Sequence, residues 1–537
     1  MGAISLRAES QAHRLLAGGL LVGSLALAFM LGCAWLVDIT EVKIHGLADS
    51  LNDQVGYVTV ARNLLRTGQL HSALIYPSVL TQAVSKDYLY MPGYYLILAA
   101  TYAVFGFGAL QSVIPSIAAY GVSCGALFVG VHKLYGVRVA GLATALFALF
   151  PPIIVYSLTA MVELPLIAAA LLAFSIFVYL PLRWQVLLGP VLLLLPLLFR
   201  ETGGVIAIPL TLLILFRTHA RHPRAAATAF ALLSAVVIVT LLRSDVSAGR
   251  PTLAFIDLFV TDETFIYDNA FTLHASIDPP GVLAAVATKF AYNARLGLTL
   301  FASSARLLLH PTEYGSAGAA MLESISLGLL LLAGVLTGLG LIRRPRDPIL
   351  AGALAVLGTL LVAILGLYFV RSFQALRILL LAVPFECIAC GVLLAGARPR
   401  IQYLVVGLAG ACSLGLTYAA LRPDPVEHAA ALRNLAFIES IRHDDRSVLV
   451  APPELAFDYV YTHYPVGWSF VPANRETLRL LTATHTVGTL VLPATSSDTA
   501  LTASDVAGEG FRLVETAQVD QARYLVFRSA PGPEPGR

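Results

Sequence analysis

Long apolar runs with few polar interruptions fill most of the first 422 positions. Those near 15–37, 109–131, 139–157, 163–181, 225–243, 322–342, 348–368, 378–396 and 401–421 each approach the roughly 20 apolar residues that cross a hydrocarbon core. Residues 185–216 are broken by Arg200-Glu201-Thr202-Gly203-Gly204 and suit two short crossings better than one. Residues 94–106, YYLILAATYAVFG, are too short to span and read as an interfacial or re-entrant piece. Between Asp49 and Gly68 the spacing turns helical. Leu51, Val55, Val58, Ala61, Leu64 and Leu65 recur at steps of three and four, with Asp53, Arg62 and Arg66 among them, which predicts an amphipathic helix on the membrane surface. Residues 281–309 read likewise. Beyond Pro425 the apolar runs shorten: SVLVAP, VGTLVLP and ARYLVFRS predict strands, and LAFDYVYTHY and RETLRLLTAT predict helices. The pattern therefore predicts an all-α polytopic membrane protein of about 11 transmembrane helices over residues 1–422. A small α/β domain follows at 423–537.

Composition sharpens this in one respect. With 58% apolar and 12% charged residues and a mean hydropathy of +0.79, most of the chain cannot fold in water. A net charge of +3 over 537 residues gives no reason to expect nucleic acid. The placement of basic residues says more. Arg217, Arg221 and Arg224, then Arg343, Arg344 and Arg346, then Arg398 and Arg400, with Lys133 and Arg138, mark cytoplasmic loops. The N-terminus is then cytoplasmic, and the C-terminal domain is extracytoplasmic. Also outside are the loops at 38–108 and 244–321 and the turns around Glu163, Arg200 and Arg371–Arg377. Arg7 and Arg14 before the first run imitate a signal peptide, but its apolar core is too long, so it is read as a retained span. Cys33, Cys124, Cys387, Cys390 and Cys412 all sit in apolar runs, where packing is the expected role. Exterior loops without disulfides, together with abundant Arg, point to a bacterial inner membrane.

Ionisable residues at one membrane boundary are costly enough to suggest function. Asp53 opens the surface helix, where a carboxylate serves as a cap or as a base. Glu163 begins a span. Arg200, Arg371 and Arg377 lie at exterior turns, suited either to a phosphate or to snorkelling at helix ends. Tyr57, Tyr88 and Tyr90 fit an interfacial belt as readily as a pocket. Glu386, mid-span in VPFECIAC, reads as a hydrogen-bonded structural acid or as part of a substrate path.

The segment DQVGYVTVARNLLRTGQL at 53–70, followed by YLYMPGYYLILAATYAVFG at 88–106, resembles the first exterior loop of the GT-C superfamily of polyprenyl-phosphate-sugar glycosyltransferases. The protein O-mannosyltransferase and lipid A aminoarabinose transferase relatives are the nearest in pattern. Asp53 falls on the first acid of that family's pair, Tyr57 on its tyrosine, Pro92 on its proline and Gly106 on the closing glycine. Gln54 stands where the second acid does, Gly93 where the second proline does, and Met91 where a lysine often stands, leaving Lys86 as the nearest lysine.

The resemblance implies inverting transfer of a sugar from a polyprenyl phosphate to a lipid, glycan or protein acceptor on the exterior face of the cell envelope, among membrane lipids. Asp53 would be the base. Arg377, in RILLLAVP near Pro384, would lead Arg371, Arg200 and Lys86 in binding the donor phosphate. Tyr57, Tyr88 and Tyr90 would line the sugar or lipid pocket. Glu163, on the acid of the family's second exterior turn, would steady the acceptor or join Asp53 in holding a divalent cation, Mg or Mn. The rival readings are a transporter or flippase, suggested by Glu386 and the break at Arg200-Glu201, a glycan polymerase or ligase using a diphosphate donor, and a non-catalytic assembly protein.

Overall fold

The structure, a computed structural model, describes residues 2–37, 51–68, 91–218, 231–236, 317–367, 377–421, 425–441, 447–452, 467–469, 471–472, 474–494, 501–520 and 522–529, with a few isolated positions. Its first helices are α1 (Gly2–Val37), α2 (Leu51–Thr67), α3 (Gly93–Phe105), α4 (Ala109–Tyr135), α5 (Val137–Ala148), α6 (Pro151–Ser157), α7 (Glu163–Tyr179), α8 (Leu182–Leu197) and α9 (Ala207–Thr218). After them come α10 (Ala317–Arg343), α11 (Pro348–Leu367), α12 (Val383–Leu394) and α13 (Pro399–Leu421).

Among the described residues six helices are long and apolar enough to cross a membrane, or seven if α5 and α6 form one bent span; four shorter apolar helices accompany them. The chain is a multi-pass membrane protein. The expected span at 139–157 is broken, because α5 and α6 meet at 63°. Pro151 and Pro152 explain the break: neither offers an N–H, and a proline ring inside a helix clashes with the preceding turn. The stretch 185–216 divides into α8, a 3-10 turn at Glu201–Ile206 and α9. Most of 225–243 and 281–309 lies outside the described residues.

α4 is central, packed against α1 on one side and α7 on the other. The contact with α1 is backbone on backbone. Gly19 and Gly23 face Gly121 and Gly125, so a Cβ added at Gly125 would stand 2.8 Å from the Gly19 carbonyl oxygen and one at Gly23 would stand 2.9 Å from that of Gly121. Small residues four apart on both helices permit this approach, and close packing takes the place of the missing hydrophobic drive between helices in lipid. Gly125→Leu is expected to lower stability by about 1–3 kcal/mol through overpacking, read as a fall in the unfolding temperature of the purified protein in detergent.

The predicted surface helix forms as α2, ending at Gly68 with φ +74°. It is not a one-sided helix, however. Gln54, Tyr57, Val58, Thr59, Val60, Ala61 and Asn63 are all buried, because α3 and the turn before α7 cover the side that periodicity left open.

The C-terminal part is a six-stranded sheet with α14 (Pro425–Ile441), α15 (Arg475–Thr484) and α16 (Ala503–Gly508). Its strands are β1 (Leu74–Ile75), β2 (Val448–Val450), β3 (Gly467–Ser469), β4 (Val487–Pro493), β5 (Phe511–Val519) and β6 (Ala522–Ser529), in the order β1-β3-β2-β4-β6-β5. Successive residues face opposite ways, as a strand requires. Leu449, Val491 and Val526 join Ile438 and Ile441 of α14, whereas Val448, Val450, Leu490 and Phe527 pack on Leu478, Leu481 and Val506 of α15 and α16. Of the expected helix at 455–464 only Leu455 is described. β1 comes from the first large loop, and Leu74 and Ile75 pair in parallel with Trp468 and Ser469.

On the sheet's outer helices Arg475 and Arg479 bond Glu509 and hold its carboxyl below the usual range. A depressed carboxylate stabilises the fold above its unfolded pKa and loses that contribution as pH falls. Acidification through the carboxylate range should therefore lower the unfolding temperature of the wild type more than that of Glu509→Gln.

Candidate active site

Glu163 is the first residue of α7, where a carboxylate meets the positive end of the helix dipole. It is only 2% exposed, and it is not alone there. Arg200 Nη1 donates to its Oε1 at 3.0 Å from the start of the 3-10 turn between α8 and α9, and Nε of Arg377 donates to the same oxygen from the start of the helical stretch that continues into α12. Both arginines are largely buried. Three candidate residues separated by tens to hundreds of positions thus meet at one point.

Local backbone explains how Arg200 is delivered there. Pro196 ends α8, and the chain turns so tightly at Gly203 that an added Cβ would lie 2.7 Å from the Pro196 carbonyl. The Gly203 N–H donates to the Arg200 carbonyl at 2.9 Å, and Gly93, opening α3, donates to Leu198 at 2.9 Å. The apolar stretch is broken at this site so that an arginine can enter the core.

The turn leading to Glu163 is pinned from two elements. Ser116 of α4 donates to the Met161 carbonyl at 3.2 Å, and the Ala160 N–H donates to Oε1 of Gln54 at 3.0 Å. Gln54 is fully buried and follows Asp53 directly, so this bond fixes the first turn of α2 three residues upstream of Glu163. Sequence reasoning saw Gln54 only as a missing acid, and its positioning role had no signal in spacing. Gln54→Leu orphans the Ala160 N–H and should cost about 1–3 kcal/mol, the penalty for a buried unsatisfied donor. Gln54→Glu keeps an acceptor and should restore most of the unfolding temperature.

Tyr57 is buried 1% exposed, its ring edge-on to Tyr94 at 5.0 Å and tilted on Tyr95 at 5.5 Å. Tyr94 lies within electrostatic range of Glu163. The halves of the sequence motif also touch: Arg62 of α2 stacks over the Phe107 ring, 4.1 Å from its centroid, just past Gly106, whose φ is +79°. Asp53 lies in the first turn of α2, but its side chain falls outside the described residues, as do Lys86, Tyr88, Tyr90 and Arg371.

Two guanidiniums converge on Oε1 of Glu163, while its buried Oε2 has no hydrogen-bond partner among the described residues. Among the described residues no group of three His, Cys, Asp or Glu side chains converges elsewhere. Glu386 is set apart, buried in α12 with Thr337 donating to its Oε2 at 2.5 Å, the pattern of a structural acid.

No protein-family model and no curated protein matches the chain. Solved structures do. The crystal structure of ArnT from Cupriavidus metallidurans bound to undecaprenyl phosphate superimposes with a TM-score of 0.56 at 13% identity, over 97% of this chain and 98% of that one. The chain shares the fold of that ArnT structure. ArnT from the same organism in the apo state matches with a TM-score of 0.42 at 13% identity, over 98% and 100% of the two chains. The Archaeoglobus fulgidus oligosaccharyltransferase AglB, in complex with an inhibitory peptide and a dolichol-phosphate, gives 0.44 at 12% identity over 87% and 69%. At such identities the likeness concerns architecture alone, and the chemistry must come from this chain's own residues.

Proposed function

We propose that the chain is an inverting glycosyltransferase that moves a sugar from a polyprenyl-phosphate donor to a lipid, glycan or protein acceptor at the exterior membrane face. One observation carries this reading: two buried arginines are gathered on a single carboxylate beside the helix that bears Asp53. It gains support from ArnT of the same fold, whose crystal structure is bound to undecaprenyl phosphate. A donor with a long isoprenoid tail keeps that tail in the bilayer and offers its sugar only at the interface.

Asp53 accepts the proton of an acceptor hydroxyl as its oxygen attacks the anomeric carbon from the side opposite the phosphate. The bond from that carbon to the phosphate oxygen breaks, and the polyprenyl phosphate leaves with the electron pair. Glu163 Oε1 accepts from both guanidiniums. The planar fork then suits the leaving phosphate, with Arg377 first and Arg200 beside it, and Arg371 and Lys86 joining from the same face. In this role Glu163 orients the arginines. Tyr57 backs the pocket wall, and Tyr88 and Tyr90 line it. The domain boundary near 422 separates the catalytic membrane part from an extracytoplasmic domain that covers the site or selects the acceptor.

The test is to compare lipid extracts from cells with and without the chain. A polyprenyl-phosphate sugar should accumulate in its absence and disappear on complementation. Unchanged lipid pools would overturn the proposal.

A further inference from the structure

The end of the bundle remote from Glu163 carries a second feature. α7 runs 17 residues from Glu163 to Tyr179, about 24 Å at about 1.5 Å per step, close to the thickness of a hydrocarbon core. At that far end the Lys133 ammonium lies over the Tyr179 ring, 5.3 Å from its centroid. Beside Lys133, a cavity of about 450 Å³ opens between the end of α4, the far half of α9 and the turn joining α10 to α11.

Its floor is apolar: Leu213 and Ile349 are buried, and Leu134 completes it. Its rim is basic, with Arg344 and Arg346 both exposed on the turn. The one acid in the lining, Asp347, is engaged by the fold. Its Oδ1 accepts from the Tyr135 hydroxyl at 2.6 Å and from the Ile349 and Leu350 N–H groups at 3.0 and 3.3 Å, capping α11. An apolar floor under two arginines, at the level where a bilayer ends, complements a molecule with a phosphate at one end and a hydrocarbon chain at the other.

We propose that this cavity holds the headgroup of an anionic phospholipid from the leaflet opposite the transfer site. The phosphate sits on Arg344 and Arg346, and the upper acyl chain lies along Leu134 and Leu213. Basic pockets between membrane helices suit such headgroups, and each arginine near the surface adds attraction. The site is independent of the transfer reaction, so its loss leaves basal activity in detergent unchanged.

The full-length chain in a mild neutral detergent tests this with three probes: phosphatidylglycerol, phosphatidylcholine and inorganic phosphate. Phosphatidylglycerol should raise the unfolding temperature and appear as a bound adduct by native mass spectrometry; the other two should do neither. R344A/R346A should weaken phosphatidylglycerol binding about tenfold or more. R398A/R400A, the same charge change at a neighbouring loop, should retain it. If R344A/R346A yields no folded protein, Arg346→Glu at its exposed position should give the same loss. An equal response to phosphatidylcholine would make the cavity a general apolar slot. An equal response to phosphate would make it a soluble-anion site, and an equal loss in R398A/R400A would reduce it to diffuse surface charge. Each of these three results overturns the proposal.

Discussion

Asp53→Asn should abolish sugar transfer while leaving insertion, abundance and unfolding temperature as in the wild type. Asparagine has the same shape and is as acceptable as aspartate near a helix start, so the fold has no reason to respond. The amide cannot take up the acceptor's proton. A positioned general base contributes about 10²–10⁴-fold to rate, and the initial rate of label transfer from a polyprenyl-phosphate sugar should fall by that order. The position of Asp53 is set by its neighbour: the bond between Gln54 and Ala160 fixes the first turn of α2 against the turn before Glu163. An asparagine variant with wild-type turnover would remove the mechanism.

Glu163→Gln should harm both stability and transfer. Burying an ion pair gains little over an apolar packing, but removing one partner leaves the others charged inside the protein, at a cost of about 3–5 kcal/mol. Here two guanidiniums lose the negative charge that they share and meet a neutral amide that brings donors of its own. The unfolding temperature should drop, and the donor KM should rise because Arg377 and Arg200 are no longer aimed. Glu163→Asp, which keeps the charge on a shorter arm, should recover most of the stability and only part of the transfer. Arg377→Lys should resemble the glutamine variant in its KM, since a point charge cannot replace a fork. Wild-type stability and KM in Glu163→Gln would show that this contact does no positioning.

How much of this could be read from the chain alone differs by element. The long apolar runs could, because crossing a bilayer leaves a signal in every residue of the span. The break at Pro151 and Pro152 could not, since hydropathy averages over a bend that proline geometry imposes. For α2, periodicity gave the helix and its end at Gly68 but not the burial of Tyr57, Thr59 and Val60, which depends on what α3 lays against it. Chemistry picked out Glu163, Arg200 and Arg377 individually as candidates. Their meeting at one oxygen was invisible, because contacts across 37 and 214 positions leave no local trace. The paired glycines of α1 and α4 are visible as a spacing, yet only the fold shows that they face each other. β1 was illegible for another reason: two residues are too few to display a period of two.

That short strand bears on how the protein is made. Leu74 and Ile75 leave the ribosome hundreds of residues before the Trp468 and Ser469 that receive them. The first large loop must therefore wait, its edge unclaimed, until translation has almost finished. A product stopped inside the last helix pair of the membrane would lack the strand that pairs with this loop. Coexpressing the missing tail as a separate polypeptide offers a way to supply it.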